Sequence, residues 1–225
     1  MPASIGLIFH GLGQPRRTLE PGEEPFWISV GRFEWVLDRI LALPDPARIR
    51  ISFDDGNASD VDIALPRLLS RGLAADFFAL TGRLDATGSL TSADLRALLA
   101  AGMRVGSHGI DHLNLRDLPP DHLARELAQS RAVLEQVLGT RVSDFSIPFG
   151  AYNAPVLAAI RKAGYDVAWS SDRGSFAQGD FPRPRTSIRA AMDDAAIDRI
   201  LAGKMSAPEA LRRRLGMWRR RLSRR

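Results

Sequence analysis

The stretch Ile49-Arg-Ile-Ser-Phe-Asp54-Asp55-Gly56 carries the pattern that decides the fold: a short apolar run, suited to a β-strand, that ends in acids and a glycine. Comparable runs recur along the chain, and each of them is too short to form a helix. They lie at Ile5 to Phe9, Ala75 to Leu80, Met103 to Gly106, Asp144 to Ile147 and Asp166 to Ser170, with a weaker one near Thr186 to Ile188. The sequence therefore predicts about seven short strands.

The segments between these runs have apolar residues at helical spacing. The clearest of them extend from Phe33 to Leu41 and from Leu123 to Leu138. Strands that alternate with helices indicate parallel strands joined by crossover helices. About seven repeats of this unit suit a closed (β/α) barrel better than a small open sheet.

Capping residues mark several helix boundaries. Thr91-Ser-Ala-Asp94 has the capping-box pattern, and Gly102 ends that helix. Pro119-Pro-Asp121 begins the next helix, which Gly139 ends. The proline-rich segment from Gly11 to Val30 is predicted to be a long loop after the first strand, and such loops often carry function.

The composition excludes several classes of site. The chain has 225 residues, of which 45% are apolar and 25% charged, as expected for an ordinary globular protein with a single barrel domain. Because it has no cysteine, any metal must be bound by His, Asp or Glu. No apolar run approaches the roughly 20 residues of a spanning helix, and the first residues do not resemble a secretory signal. We therefore expect a cytoplasmic location.

The net charge of +5 originates in one segment. Residues 211–225, LRRRLGMWRRRLSRR, contain eight arginines and no acid, while the remaining residues have 23 basic and 26 acidic side chains, a net charge of −3. The basic character therefore does not extend to the whole surface. We divide the chain into a barrel domain, residues 1–203, and a basic amphipathic helix, residues 204–225.

An apolar stripe runs along this C-terminal helix, since Leu211, Leu215, Trp218 and Leu222 are spaced 4, 3 and 4 residues apart. This helix has two expected roles, and the sequence does not favour one over the other: it docks on the barrel through the stripe, or it contacts an anionic membrane surface. The second role would make the protein peripheral at the inner membrane face. Nucleic acid is a weaker third alternative.

Asp54 and Asp55 are adjacent carboxylates at the end of a predicted barrel strand, where catalytic groups of barrels lie. Asp and Gly also form turns, so a structural interpretation remains open. However, two neighbouring acids repel each other, and a cation would offset this repulsion. One carboxylate would then bind the metal while the other acts as a base.

A histidine pair follows another short strand, in Val105-Gly-Ser-His108-Gly-Ile-Asp-His112. Two of the four histidines of the chain fall here, and the spacing of four residues lets both reach one metal ion. Together with Asp55 they form a set of two imidazoles and one carboxylate. Such a set leaves a position open for water, as catalytic metal sites do.

At these residues the chain resembles the polysaccharide deacetylases with a NodB-type catalytic domain, carbohydrate esterase family 4. Ser52-Phe-Asp-Asp-Gly56 resembles the first family motif, T-F-D-D-G, and His108 to His112 resembles the second, H-[ST]-x-x-H. Ser146-Ile-Pro148-Phe149-Gly150 is similar to the third, R-x-P-[YF]-G. The resemblance covers roughly residues 1 to 190, and the order of the first two motifs makes it specific.

The resemblance implies a distorted (β/α) barrel, a divalent metal ion with Zn²⁺ as the expected metal, and removal of acetyl groups from N-acetylated sugars. It also implies that Asp55, His108 and His112 bind the metal and that Asp54 is the general base. Substrate and oxyanion contacts are expected near the third motif, with the backbone N–H of Tyr152 facing the oxyanion. The residues expected to contact substrate or oxyanion are Pro148, Phe149, Tyr152, Trp169 and Arg185.

The sequence departs from the family pattern at four places. Gly109 replaces the Ser or Thr of the second motif, which removes a bracing hydroxyl, and Ser146 replaces the arginine of the third, so Asp54 is expected to lack its cationic neighbour. The Asp-Trp pair of the fourth motif is not matched, although Trp169 is expected to form a wall of the groove. The Leu-x-His of the fifth is absent from Pro184 to Ile188, and with it the usual catalytic acid.

His10 is the candidate replacement for this acid. It ends the first strand, and a barrel brings the ends of its strands to one mouth, so His10 should lie near the metal. A purely structural histidine at this position is the alternative. Arg185 stays charged and is therefore expected to bind substrate and not to donate a proton.

We therefore expect a metal-dependent hydrolase of carbon–nitrogen bonds other than peptide bonds, acting on an N-acetylated glycan. Two alternatives stay open. The chain could be a divergent carbohydrate-binding member with impaired turnover, or a hydrolase of another amide or ester.

Overall fold

Seven parallel strands close into a barrel in the computed structural model, which describes residues 3–223. The last two arginines of the predicted basic segment, like the first two residues of the chain, lie outside the described residues. An eighth strand of two residues, β7, pairs antiparallel with β1. The strands are β1 (Ser4–Phe9), β2 (Ile49–Phe53), β3 (Ala75–Ala79), β4 (Arg104–Ser107), β5 (Asp144–Ser146), β6 (Val167–Ser170), β7 (Ser175–Phe176) and β8 (Arg183–Ser187).

The barrel closes because β1 pairs on both sides. Its order is β2-β3-β4-β5-β6-β8-β1, and β1 also pairs in parallel with β2, placing Phe9 opposite Phe53. The carboxyl ends of the parallel strands therefore meet at one mouth. This architecture confirms the predicted barrel and places every predicted strand to within a few residues.

Helices cover the outside of the barrel and occupy the predicted connections. They are α1 (Val30–Leu41), α2 (Leu65–Leu69), α3 (Ser92–Ala100), α4 (Pro120–Leu138), α5 (Ala154–Lys162), α6 (Asp194–Leu201) and α7 (Ala207–Leu222). A π turn, Asp60–Ala64, precedes α2. Short 3-10 turns lie at Glu24–Phe26, Pro46–Arg48, Thr81–Arg83, Leu115–Asp117 and Pro148–Gly150.

The caps agree with the residues that predicted them. Thr91 and Asp94 form a reciprocal capping box at the start of α3. Gly139 ends α4 in the left-handed conformation, with φ 65°, which glycine adopts at little steric cost.

Two layers of buried side chains follow from the alternation of residues along each strand. Phe9, Phe53 and Phe77 face the helices, and the rings of Phe53 and Phe77 stack with centroids 4.8 Å apart. The intervening residues face the barrel axis, where the Asp76 carboxylate accepts hydrogen bonds from Arg50 and Arg104. The interior of the barrel thus contains charged side chains.

Helix α7 docks on the barrel, but not through the predicted stripe. Met217 is its buried side chain. The stripe residues point away from the barrel and are 51–61% exposed. The expectation that the stripe covers the core is therefore wrong. None of the helices described between residues 3 and 223 combines the length and the apolar character that crossing a bilayer requires.

Candidate metal centre and catalytic pocket

A cavity of about 410 Å³ opens at the mouth of the barrel. The loops that follow β1, β2, β4, β5, β6 and β8 all contribute to it, as expected for strands whose carboxyl ends meet. The long loop predicted over Gly11–Val30 forms one side of this cavity through residues Glu20 to Glu23 and Phe26. The other lining residues include His10, Asp54, Asp55, His108, His112, Phe149, Arg173, Arg185 and Arg189.

Asp55, His108 and His112 come together at the base of this cavity. The Asp55 Oδ1 atom lies 3.4 Å from His108 Nε2 and 3.5 Å from His112 Nε2, and the three possible ligand atoms lie within 4.8 Å of one another. The two separations from Asp55 Oδ1 are close to those of ligands at about 2.0–2.1 Å around a tetrahedral Zn²⁺. Asp55 Oδ1 is buried and has no hydrogen-bond partner among the described residues. These residues therefore fit a divalent cation.

Hydrogen bonds at Nδ1 orient both imidazole rings. His108 Nδ1 lies 2.8 Å from the carbonyl oxygen of Ser146, and His112 Nδ1 lies 3.1 Å from Glu20 Oε2. Since a carbonyl and a carboxylate only accept, each Nδ1 carries the proton and each Nε2 lone pair is free for a metal. Glu20 is in turn bound by Arg83. No sequence pattern indicated Glu20 itself, although the long loop that carries it was expected to carry function.

The backbone at two of these ligands has unusual conformations. Asp55 has φ 78° and His112 has φ 54°, values that residues other than glycine rarely adopt. Strained residues of this kind cluster at ligand-binding sites, where the surrounding structure holds them.

The turn between the two histidines is braced from α4. Glu126 Oε2 accepts a hydrogen bond from the Ile110 N–H at 2.7 Å and lies within 3.4 Å of the Asp111 nitrogen. Gly109 has φ 94°, and a Cβ atom there would lie 3.0 Å from the same Glu126 oxygen. The bracing that the missing hydroxyl of the second motif would provide therefore comes from Glu126, a residue that no sequence pattern indicated.

Asp54 has a cationic neighbour after all. Arg185 donates from Nη1 to Asp54 Oδ1 and from Nη2 to Asp54 Oδ2, both at 2.9 Å. The Ser146 hydroxyl donates to Asp54 Oδ2 at 2.9 Å and also accepts from Arg185. The expectation that Asp54 lacks a cation is wrong, because β8 supplies the guanidinium that the third motif lacks.

This geometry gives Arg185 a role that the sequence did not predict. Its side chain is 1% exposed, and both terminal nitrogens bind Asp54. A buried bidentate pair fixes the orientation of the carboxylate and leaves few donors for a substrate. Arg185 is therefore a positioning residue for Asp54, and its expected contact with substrate stays a prediction.

The charges around the two aspartates keep both ionised. Burial would raise the pKa of Asp54, but its charged neighbours, Arg185 above all, outweigh burial and lower it. The pKa of Asp55 is also lowered, because the nearby His108 and His10 outweigh the effect of burial. Burial and the nearby His108 lower the pKa of His112, which favours the neutral imidazole that a metal requires.

His10 lies at the edge of the same cavity, as its position at the end of β1 predicts. Its ring packs on Phe26 with centroids 4.8 Å apart. The His10 Nδ1 atom is buried and has no hydrogen-bond partner within residues 3–223. His122, in contrast, is exposed on α4.

Three residues near the third motif have different surroundings. Phe149 is 63% exposed and its ring lies 4.4 Å from that of His112, so it forms a wall beside the candidate metal site. Pro148 is buried. The Tyr152 hydroxyl donates to Asp172 at 2.8 Å, away from the cavity, and the oxyanion role of the Tyr152 N–H stays a prediction.

Trp169 does not form a wall of the groove. It is 1% exposed, its Nε1 donates to Asp144 at 2.9 Å, and its ring packs against Phe176 inside the barrel. The expectation for this residue is wrong because its position on β6 directs the side chain towards the barrel axis.

Comparison with known proteins relates the chain to polysaccharide deacetylases. The family model for polysaccharide deacetylases matches residues 44–168. A putative polysaccharide deacetylase of Bacillus subtilis (strain 168), YxkH, is 28% identical over 155 residues, 68% of this chain and 56% of the relative. A chitooligosaccharide deacetylase of Azorhizobium caulinodans is 29% identical over 149 residues, 65% of this chain and 68% of the relative. The chain thus spans little more than half of the first relative's length.

The fold has solved counterparts as well. The Streptococcus pyogenes deacetylase PplD, solved in complex with acetate, superposes with a TM-score of 0.75 at 18% identity, covering 89% of this chain and 98% of that one. The family model covers more than half of the chain, and the barrel is common to both proteins. The chain belongs to the polysaccharide deacetylase family.

Proposed function

We propose that the protein is a metal-dependent hydrolase that removes the acetyl group from an N-acetylated sugar of an oligo- or polysaccharide. The observation that supports this proposal is the buried set of Asp55, His108 and His112 beside the ionised Asp54. The relative from Azorhizobium caulinodans is named for chitooligosaccharides, so such oligomers are the first substrates to test. Contact with an anionic membrane surface would involve the C-terminal helix and not this pocket.

Asp55, His108 and His112 would bind the cation, with Zn²⁺ as the proposed metal. When bound, the cation polarises the amide carbonyl and lowers the pKa of water. The Asp54 carboxylate, held by Arg185 and Ser146, accepts a proton from the water that attacks the carbonyl carbon. Because Arg185 keeps Asp54 ionised, the base is available over most of the pH range.

The amine needs a proton to leave. When the C–N bond breaks, its electron pair goes to nitrogen, and His10 is the proposed donor of the proton that nitrogen takes up. The products are acetate and the free amine. Phe149 would contact the sugar, since its ring is exposed beside His112.

The test combines metal analysis with acetate release. We expect the purified protein to contain about one divalent metal ion and to release acetate from N-acetylated chitooligosaccharides. Asp54→Asn should retain the metal while turnover falls about 10²- to 10⁴-fold. His112→Ala should lose both metal and turnover.

Three results would contradict the proposal. Binding of the oligosaccharide without acetate release, in metal-loaded protein, would indicate the carbohydrate-binding alternative. Release of another acid from an amide or ester panel, with acetylated sugars untouched, would indicate a hydrolase of different specificity. Full metal occupancy in His112→Ala would show that the metal site is misassigned.

A further inference from the structure

The outward face of α7 presents the largest exposed apolar side chains of the C-terminal segment. Leu211, Leu215, Trp218 and Leu222 are 59%, 51%, 61% and 60% exposed. At about 100° per residue, these four positions fall within about 60° of one another around the helix. We call this face the outer stripe. The proposed catalytic site does not include any of these residues.

The opposite face attaches α7 to the barrel. Met217 is buried, Arg213 donates to the Ser175 carbonyl at 3.1 Å, and Arg220 binds the Asp172 carboxylate. The Ser223 carbonyl accepts from the Ala154 N–H at the start of α5 at 3.0 Å. Because these contacts hold the helix, the outer stripe is not needed for docking and stays exposed.

Arginines line both edges of the outer stripe. Arg212 and Arg219 lie on one side and Arg214 and Arg221 on the other, each about 70–90° from the centre of the stripe. All four are exposed, and the segment from Leu211 to Leu222 has no acid. An apolar stripe with Trp, flanked on both sides by cations, is the arrangement of helices that lie in the interface of an anionic bilayer.

We propose that the outer stripe and its four arginines bind the surface of an anionic lipid bilayer. The apolar side chains would enter the boundary between headgroups and acyl chains, while the guanidinium groups bind lipid phosphates. Charge complementarity favours this occupant over a second copy of the chain, whose identical stripe would bring arginine against arginine. Nucleic acid would use the arginines but not Leu215 or Trp218.

Membrane binding through α7 would bring the pocket close to the bilayer. Asp172, which binds α7, belongs to the segment between β6 and β7, and Ser175, which also binds α7, is the first residue of β7. Ser171 and Arg173 of this segment line the catalytic cavity. The membrane proposal does not depend on the deacetylase proposal, because it involves none of the candidate catalytic residues.

Vesicle co-sedimentation tests the apolar contribution. Wild-type protein is mixed at low salt with vesicles of phosphatidylcholine containing about one third phosphatidylglycerol, and with vesicles of phosphatidylcholine alone. We expect binding to the anionic vesicles, and the double variant Leu215→Ser with Trp218→Ser should reduce it at least about tenfold. The matched control, Leu69→Ser, replaces a leucine of α2 that is 50% exposed, and it should bind like the wild type.

A second pair of variants tests the charge. Arg214→Gln with Arg219→Gln should weaken binding about tenfold or more at low salt, while Arg96→Gln, an exposed arginine of α3, should have little effect. Circular dichroism and acetate release from a soluble oligosaccharide should be unchanged in all variants, because none of these side chains faces the barrel.

Five results would overturn the membrane proposal. The wild type could fail to bind anionic vesicles, or bind both vesicle types equally. Binding could persist in Leu215→Ser with Trp218→Ser. If the wild type does not bind vesicles but forms a concentration-dependent dimer that this variant cannot form, the outer stripe binds a second copy of the chain. If the wild type does not bind vesicles but binds duplex DNA tightly through the arginines and without the stripe, the partner of this face is nucleic acid.

Discussion

Asp54 and Asp55 are adjacent in the chain but have different surroundings. Asp55 has φ 78°, and its Oδ1 atom faces two histidine nitrogens. Asp54 is held through both oxygens by Arg185 and Ser146. Two carboxylates of the same chemistry can therefore serve as metal ligand and base, because their neighbours differ.

The first prediction concerns the charge of Arg185. Its guanidinium lowers the pKa of Asp54 against the effect of burial, so its removal should raise that pKa. Since the base must be ionised, the acid limb of the profile of kcat against pH should move to higher pH in Arg185→Lys and further in Arg185→Met. Arg185→Met also leaves a buried charge unpaired, at a cost of about 3–5 kcal/mol of stability.

Arg185→Lys is the informative variant because it keeps the charge but not the bidentate geometry. We expect kcat to fall at least about tenfold with KM little changed, since both terminal nitrogens of the side chain bind Asp54. If only KM changes and the acid limb of the pH profile stays in place, Arg185 binds the substrate instead.

The second prediction concerns His10 as the acid. His10→Ala should keep its fold and its metal, because His10 is not a ligand. Turnover should fall on amides by about 10²-fold or more and much less on esters, whose leaving groups need little protonation.

Rates on matched acetamide and acetate-ester substrates separate the alternatives for His10. Equal losses on both would show that His10 only positions the substrate. No loss on either would leave His10 with a structural role on Phe26.

The turn after β4 depends on a backbone conformation that favours glycine. Gly109 has φ 94°, and Glu126 of α4 lies where a side chain would extend. The family usually has Ser or Thr here, so Gly109→Ser restores the motif in sequence. In this structure it should destabilise the turn by about 1–3 kcal/mol and weaken metal binding, because the Cβ atom meets Glu126 Oε2.

Gly102→Ser is the matched control for this third prediction. Gly102 also has a left-handed backbone, with φ 79°, but no atom lies within 4 Å of its Cβ position. Thermal unfolding and metal titration should show a stability loss in both variants but weaker metal binding in Gly109→Ser alone. Unchanged metal affinity in Gly109→Ser would show that the bracing from Glu126 is dispensable.

Metal binding should stabilise the whole barrel, because its ligands come from the loops after β2 and β4. This fourth prediction follows from linkage: a metal at about 100 times its dissociation constant adds about 2.7 kcal/mol to the folded state. For a chain of 225 residues, chelation should lower Tm by about 5–10 °C. Asp55→Ala, measured by the same calorimetric scan, should show no chelator effect; an equal shift would place the metal elsewhere.

Sequence patterns predicted those features of the structure that depend on residues close together in the chain. The strands, the capping box of α3, the position of His10 and the histidine pair follow from the spacing of neighbouring residues. The partners that complete the site are remote: Arg185 is 131 residues from Asp54, and Glu20 is 92 residues from His112. No local pattern encodes such pairs, because only closure of the barrel brings them together.

The position of Arg185 on β8 has a consequence for the order in which the chain is synthesised and folds. During synthesis, β2 with Asp54 leaves the ribosome long before β8, and domains fold as the chain emerges. A nascent chain that ends before residue 185 already contains the whole segment that the family model matches, yet its buried Asp54 has no guanidinium to offset desolvation. We therefore expect Asp54 to be held ionised only once the last strand has inserted. Chains truncated before residue 185 should release no acetate even though they contain the whole matched segment.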